Sequence, residues 1–184
     1  MAITISGSGI TSANIADDTI VNSDINSSAA IAQSKTASLV GGDLPTGSVL
    51  QVVNHIEGSS FSTTSTSLVD TNLTANITPS STSSKVYVLV NAQLSGSNTT
   101  YVYGQMTVTR TPSGGSTTTI SDNPRIDLYS QYNHHVYSVG ILDSPGDAGV
   151  ITYKVKVRTS NASQQIDCPH YLNDCSITLM EIAG

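Results

Sequence analysis

Charge is what this sequence has least of: Lys, Arg, Asp and Glu make up 11% of its 184 residues, against about 25% in an ordinary soluble domain. Only seven are Lys or Arg and the net charge is -6, so no basic stripe can form and nucleic acid is not an expected partner. Long apolar runs are missing too. No stretch of 18 or more apolar residues occurs, which excludes a membrane-spanning helix. The opening MAITISGSG has neither a basic n-region nor an apolar h-region, so export by the usual signal is not expected. No nucleophile elbow, phosphate loop or HExxH motif is present, and the expectation is a non-enzymatic protein without cofactor or metal.

Hydroxyl side chains fill the gap. Ser and Thr account for roughly 28% of the chain, which is enough to cover much of an exposed surface when charges do not. Within that background Ile77 to Leu94, ITPSSTSSKVYVLVNAQL, is the clearest local signal. A Pro-Ser-Ser turn leads into a period-two alternation that puts Val86, Val88, Val90, Ala92 and Leu94 on one face. Lys85, Tyr87, Leu89, Asn91 and Gln93 share the other. Tyr87 and Leu89 make that second face too apolar for free solvent, so it is expected to be half covered or to lie at a subunit contact.

Upstream of about Pro45 the pattern changes. Apolar residues recur every five positions at Ile10, Ile15, Ile20 and Ile25, with Ile31 beyond them. A step of five gathers on one side of neither a helix nor a strand. Four such units cannot bury their own isoleucines, so an arm over residues 1–45 needs a partner for trimerisation or attachment. Ser28 to Lys35 reads as a short helix with Ser28 as N-cap, and the breaker run Gly41 to Thr46 separates the arm from a domain over 46–184.

In that domain short alternating segments are expected as strands at Val49–His55, Ser67–Thr74, Lys85–Leu94, Tyr101–Arg110, Thr117–Ile120, Arg125–Tyr129, Val136–Leu142, Val150–Arg158 and Ser176–Ile182. Turn signals separate them and no helical period intervenes. The fold class is therefore all-β: a jelly-roll-like antiparallel β-sandwich with an extended N-terminal repeat arm, homotrimeric. Tyr153, Val155 and Val157 alternate with Thr152, Lys154, Lys156 and Arg158, whose charges would guard that strand against edge-to-edge pairing.

Few residues suggest chemistry. Tyr129, Tyr132, His134, His135 and Tyr137 form a polar-aromatic segment suited to receptor contact, with core filling as the alternative for the tyrosines. Adjacent histidines on a strand point to opposite faces, so the two cannot chelate one ion. Cys168 and Cys175 bracket CPHYLNDC, which leaves open a loop-closing disulfide, two reduced semi-buried thiols, or a metal site with His170. Asp143 and Asp147 flank Ser-Pro-Gly, where turn residues are expected rather than the paired carboxylates of a glycan hydrolase.

The segments ITSANIADDTIVNSDINSSAAIAQSKT, GSVLQVV, LVDTNLTANITPSSTSSKVYVLV and the ending ITLMEIAG together resemble small structural proteins of tailed bacteriophages, marine and cyanobacterial phages among them. That resemblance implies a trimeric virion component, made in the host cytoplasm and placed on the tail or capsid surface. Its implied function is a short tail fibre or spike for host attachment. A capsid decoration or head-fibre protein that stabilises the shell is the alternative, with a polysaccharide-degrading tailspike behind both. Partners are then other copies of the chain, other virion proteins met through the arm, and a host surface glycan or protein.

Overall fold

The alternation along Ile77–Leu94 is realised as a strand in which Val86, Val88, Val90, Ala92 and Leu94 have no exposed surface. The opposite face is half-buried at Tyr87, Leu89, Asn91 and Gln93 and exposed at Lys85. This computed structural model describes residues 44–96, 101–128, 135–168 and 174–184, which all belong to one compact unit. The isoleucine pentads and the Ser28–Lys35 helix lie outside the described residues.

Among the described residues ten strands follow in chain order: β1 (Val49–Glu57), β2 (Ser62–Thr63), β3 (Val69–Ile77), β4 (Lys85–Gly96), β5 (Val102–Pro112), β6 (Thr118–Leu128), β7 (His135–Asp143), β8 (Ile151–Thr159), β9 (Ile166–Asp167) and β10 (Cys175–Ile182). The long ones pair in nested fashion, β1 with β10, β3 with β8, β4 with β7 and β5 with β6, all antiparallel. Two more ladders, β10 with β4 and β5 with β8, join these pairs sideways. The result is one long hairpin rolled into two facing sheets, which is the jelly roll. One sheet contains β1-β10-β4-β7, with β9 taking over the edge of β4 at Ser95 and Gly96 where β10 has ended, and β2 beyond it. The other runs β3-β8-β5-β6.

Three details differ from the sequence expectations. Thr117–Ile120 and Arg125–Tyr129 join in one strand, β6 (Thr118–Leu128), because it is the outer strand of its sheet and Pro124 falls where the ladder skips between Asn123 and Ile126. Register shifts opposite Gly104/Met106 and Val108/Thr109 absorb the irregularity. Charges on β8 do not guard an edge, since β8 lies between β3 and β5. Lys154 and Lys156 instead each bind Asp70 of β3 at 2.8 Å across the outer sheet face. Asp143 is not a turn residue. It ends β7, accepts Arg110 Nη1 at 2.7 and 2.9 Å and the Tyr153 hydroxyl at 2.8 Å, and so clasps one sheet to the other. Burial, then the bond to Asp143, pushes the Tyr153 phenol far above its ordinary range. Asp147 does behave as a turn residue, accepting the Gly149 N–H at 2.7 Å.

A second buried carboxylate, Glu181 near the end of β10, is 1% exposed. Its Oε1 accepts the Ser80 N–H, the Ser80 hydroxyl and the Ser84 hydroxyl at 2.6–2.7 Å, and its Oε2 accepts Gln51 Nε2 at 2.6 Å. Burial raises its pKa, but the bonds from Ser80, Gln51 and Ser84 outweigh burial and hold the carboxyl below its ordinary 4.5. These donors are the reason a charge is tolerated inside a sandwich.

Asp143→Asn keeps the shape of the clasp and removes its charge, leaving the Arg110 guanidinium, 16% exposed, without a counter-ion. Denaturant unfolding should show a loss of about 3 to 5 kcal/mol. For Glu181 the folded pKa is depressed, so its contribution is complete above the unfolded value near 4.5 and disappears as pH falls through the lower folded value. Glu181→Gln should cost about 1 to 3 kcal/mol at neutral pH and flatten the stability profile below about pH 4.5. Parallel acid titrations followed by circular dichroism check both effects.

Candidate functional site

The outer face of the β1-β10-β4-β7 sheet is the surface whose composition least suits water. Cross-strand register arranges it in rows. Val52, Met180, Tyr87 and Leu142 lie side by side, followed by Asn54, Thr178, Leu89 and Gly140, then by Ile56, Ser176, Asn91 and Ser138, with Gln93 beside Val136 beyond them. Val52, Ile56, Val136 and Leu142 are 57%, 58%, 64% and 55% exposed. No carboxylate, Lys, Arg or His occurs in these rows; Lys85, opposite Ile182, stands at their margin.

Two local arrangements finish the face. A Cβ at Gly140 would lie 2.4 Å from the Tyr87 hydroxyl and 3.1 Å from its Cζ, so the Tyr87 ring lies down across the glycine instead of standing off the sheet. Any side chain at 140 would lift it. In the polar rows the Thr178 hydroxyl donates to Asn54 Oδ1 at 2.9 Å and the Ser138 hydroxyl to Asn91 Oδ1 at 2.6 Å. Those bonds hold the two amide groups in place, and the Asn54 and Asn91 amide nitrogens donate to no other described residue. The arrangement offers apolar area with a few fixed donors, which suits protein contact and provides no reactive group.

None of the described residues singled out in the sequence as candidate sites belongs to these rows. Ile10, Ile15, Ile20, Ile25, Ile31, Tyr129, Tyr132 and His134 lie outside the described residues. His135 and Tyr137 open β7 on its inward side. Tyr137 packs against the core, and its hydroxyl donates to the Asp127 carbonyl at 3.3 Å, which is the core-filling alternative. Val136 and Leu142, on the outward side of the same strand, were not singled out. Their signal was present, because apolar residues occur on both faces of Val136–Leu142 as they do on β4.

Cys168 and Cys175 are free thiols, both buried, with sulfurs 4.0 Å apart. The two thiols share a hydrogen bond, and Cys175 Sγ also accepts the Gln93 N–H at 3.1 Å. That shared hydrogen bond, with burial, pushes Cys168 well up, and the same bond draws Cys175 down.

No protein-family model matches the sequence, and no curated protein matches it. Among solved structures, the chain is similar to that of the infectious bursal disease virus Gx strain, at 12% identity and a TM-score of 0.45 over 73% of this chain and 37% of that one. It is likewise similar to the infectious bursal disease virus VP2 subviral particle, at 10% identity and a TM-score of 0.43 with the same shares covered. The chain therefore spans well under half the length of these viral chains.

Burial makes the cysteines a test of this part of the structure. Iodoacetamide should label neither thiol in the native protein and both once it is unfolded, as read by mass spectrometry. Rapid native labelling of Cys168 would contradict its placement.

Proposed function

We propose that this protein is a non-enzymatic structural component of a tailed-phage virion. It assembles as a homotrimer through the outer face of the β1-β10-β4-β7 sheet, and residues 1–45 attach it to other virion proteins. The jelly roll then projects from the particle as a short fibre or spike for host attachment. The observation that carries this reading is the uncharged apolar sheet face. Burying Val52, Ile56, Val136 and Leu142 removes apolar area worth about 25 cal/mol per Å², and a partner needs no charge to complement it. Around a three-fold axis, one part of this neutral face meets a different part of the same face on the next copy, which satisfies that requirement. The number three comes from the sequence resemblance to trimeric phage proteins.

Capsid decoration is the second reading, favoured by the jelly roll itself, an architecture used by viral capsid domains. Copy number separates the two roles, since decoration requires hundreds of copies per particle and a tail fibre tens or fewer.

Light scattering of the full-length protein should give about three times the chain mass of 19.1 kDa. Val136→Lys with Leu142→Lys places two charges on side chains that are already solvent-exposed in the single chain, so the circular dichroism spectrum should be unchanged. The assembly should fall to monomers. A wild-type protein that is monodisperse as a monomer at micromolar concentration would sink the assembly reading.

A further inference from the structure

The opposite sheet, β3-β8-β5-β6, has a contrasting outer face, on which four of the chain's seven basic residues are found: Arg125, Lys154, Lys156 and Arg158. At one end of it a cleft of about 370 Å³ opens between β5, β6 and the segments around Thr66 and Ser160. Its floor is the β5/β8 ladder at Gly104 and Thr159. From the two strands flanking β5, the Arg125 and Arg158 guanidinium groups line it.

Arg158 is held in an unusual way. Its Nε donates to Gln105 Oε1 and its Nη1 to the Thr66 carbonyl at 3.2 Å, both uncharged acceptors. Gln105 is fixed in turn, because its amide nitrogen donates to Asp122 Oδ1 at 2.5 Å. The other cations of this face each bind a carboxylate: Lys154 and Lys156 share Asp70, and Arg125 Nε binds Asp127 Oδ1 at 2.8 Å. Arg158 forms no ion pair among the described residues, and its Nη2 makes no hydrogen bond among them. A full positive charge is therefore held in position with part of its donor fork unused, in a chain whose net charge is -6.

The second guanidinium is also positioned. Arg125 Cζ lies 4.6 Å from the centre of the Tyr103 ring, so the ring supports it from below. Its terminal nitrogens donate to no other described residue. On the rim, the Thr66 and Ser160 hydroxyls make no hydrogen bond among the described residues.

We propose that this cleft binds a saccharide residue bearing one carboxylate, of the uronic or sialic acid class, with the carboxylate on Arg158 and the ring hydroxyls on Thr66, Ser160 and Arg125. Charge selects the monoanion. Asp127 already offsets Arg125, leaving one uncompensated charge, and Asp122 and Asp127 nearby disfavour a dianion or polyanion. Oriented N–H groups select a planar oxyanion that accepts two parallel bonds. The hydroxyl rim selects a polyol over a simple acid, and the volume suits one or two sugar rings. The inference is separate from the assembly reading, since the cleft belongs to the other sheet.

Saturation-transfer difference NMR on the full-length protein, with sodium glucuronate as probe, tests it. Glucuronate should bind saturably with a Kd on the order of 1 mM, with signal at the ring protons; glucose, read directly, and inorganic phosphate, read by its displacement of the glucuronate signal, should each bind at least about tenfold more weakly. Arg158→Lys keeps the charge and removes the fork, and should weaken glucuronate binding by about tenfold. Arg158→Ala should abolish it while leaving the circular dichroism spectrum unchanged. Absence of transfer from glucuronate overturns the proposal, as does equal binding of glucose. Phosphate binding as tightly as glucuronate would make the cleft a general anion site and overturn the saccharide assignment. Undiminished binding by Arg158→Lys would remove Arg158 from the contact.

Discussion

Glu181 ties together three segments that are far apart in the chain. Through one carboxylate, β10 binds β1 at Gln51 and the β3–β4 turn at Ser80 and Ser84. The chain closes over the same place: Gly47 donates to the Ala183 carbonyl and Ala183 to the Ser48 carbonyl, both at 2.8 Å. A Cβ at Gly184 would lie 1.9 Å from the Ser83 carbonyl oxygen, so only glycine fits against that turn. With these contacts in place, β4 enters its sheet at a fixed register, and a one-residue slip there would exchange the core face for the outer one.

Register in turn decides what the two outer faces present. Scarce charge is distributed very unevenly, with four basic residues, three of them paired with carboxylates, on the β3-β8-β5-β6 face and none in the rows of the other. The first is a surface that water stabilises; the second requires cover. A sandwich normally keeps both outer faces polar, so this asymmetry is the feature that most distinguishes the protein from a free-standing domain.

Much of the architecture was legible in the sequence, because period-two alternation is a local property. It is plain in Val86–Leu94 and Tyr153–Val157, and the structure buries those residues as the pattern requires. What was hidden is relational. That β8 is interior, and that Asp143 meets Arg110 and Tyr153, depends on which strands become neighbours, which no single segment encodes. The serines around Glu181 were hidden for another reason: in a chain so rich in Ser, nothing marks Ser80 and Ser84 as ligands of a distant carboxylate. The cleft was missed similarly, since Arg125, Arg158 and Gln105 come together only across strands.

Nested pairing also sets a timetable. Because β10 is the one long-strand neighbour of β1 among the described residues, and β4 needs β10 on one side and β7 on the other, neither the edge nor the centre of that sheet is complete until the chain has been made through Ile182. Local hairpins such as β5–β6 can close early, whereas the first strand waits for the last. During that interval Val52 and Ile56 sit on a strand without a neighbour. A nascent chain of this design is most exposed to mispairing before Glu181 has been synthesised, and its yield in a cell depends on how briefly that state lasts.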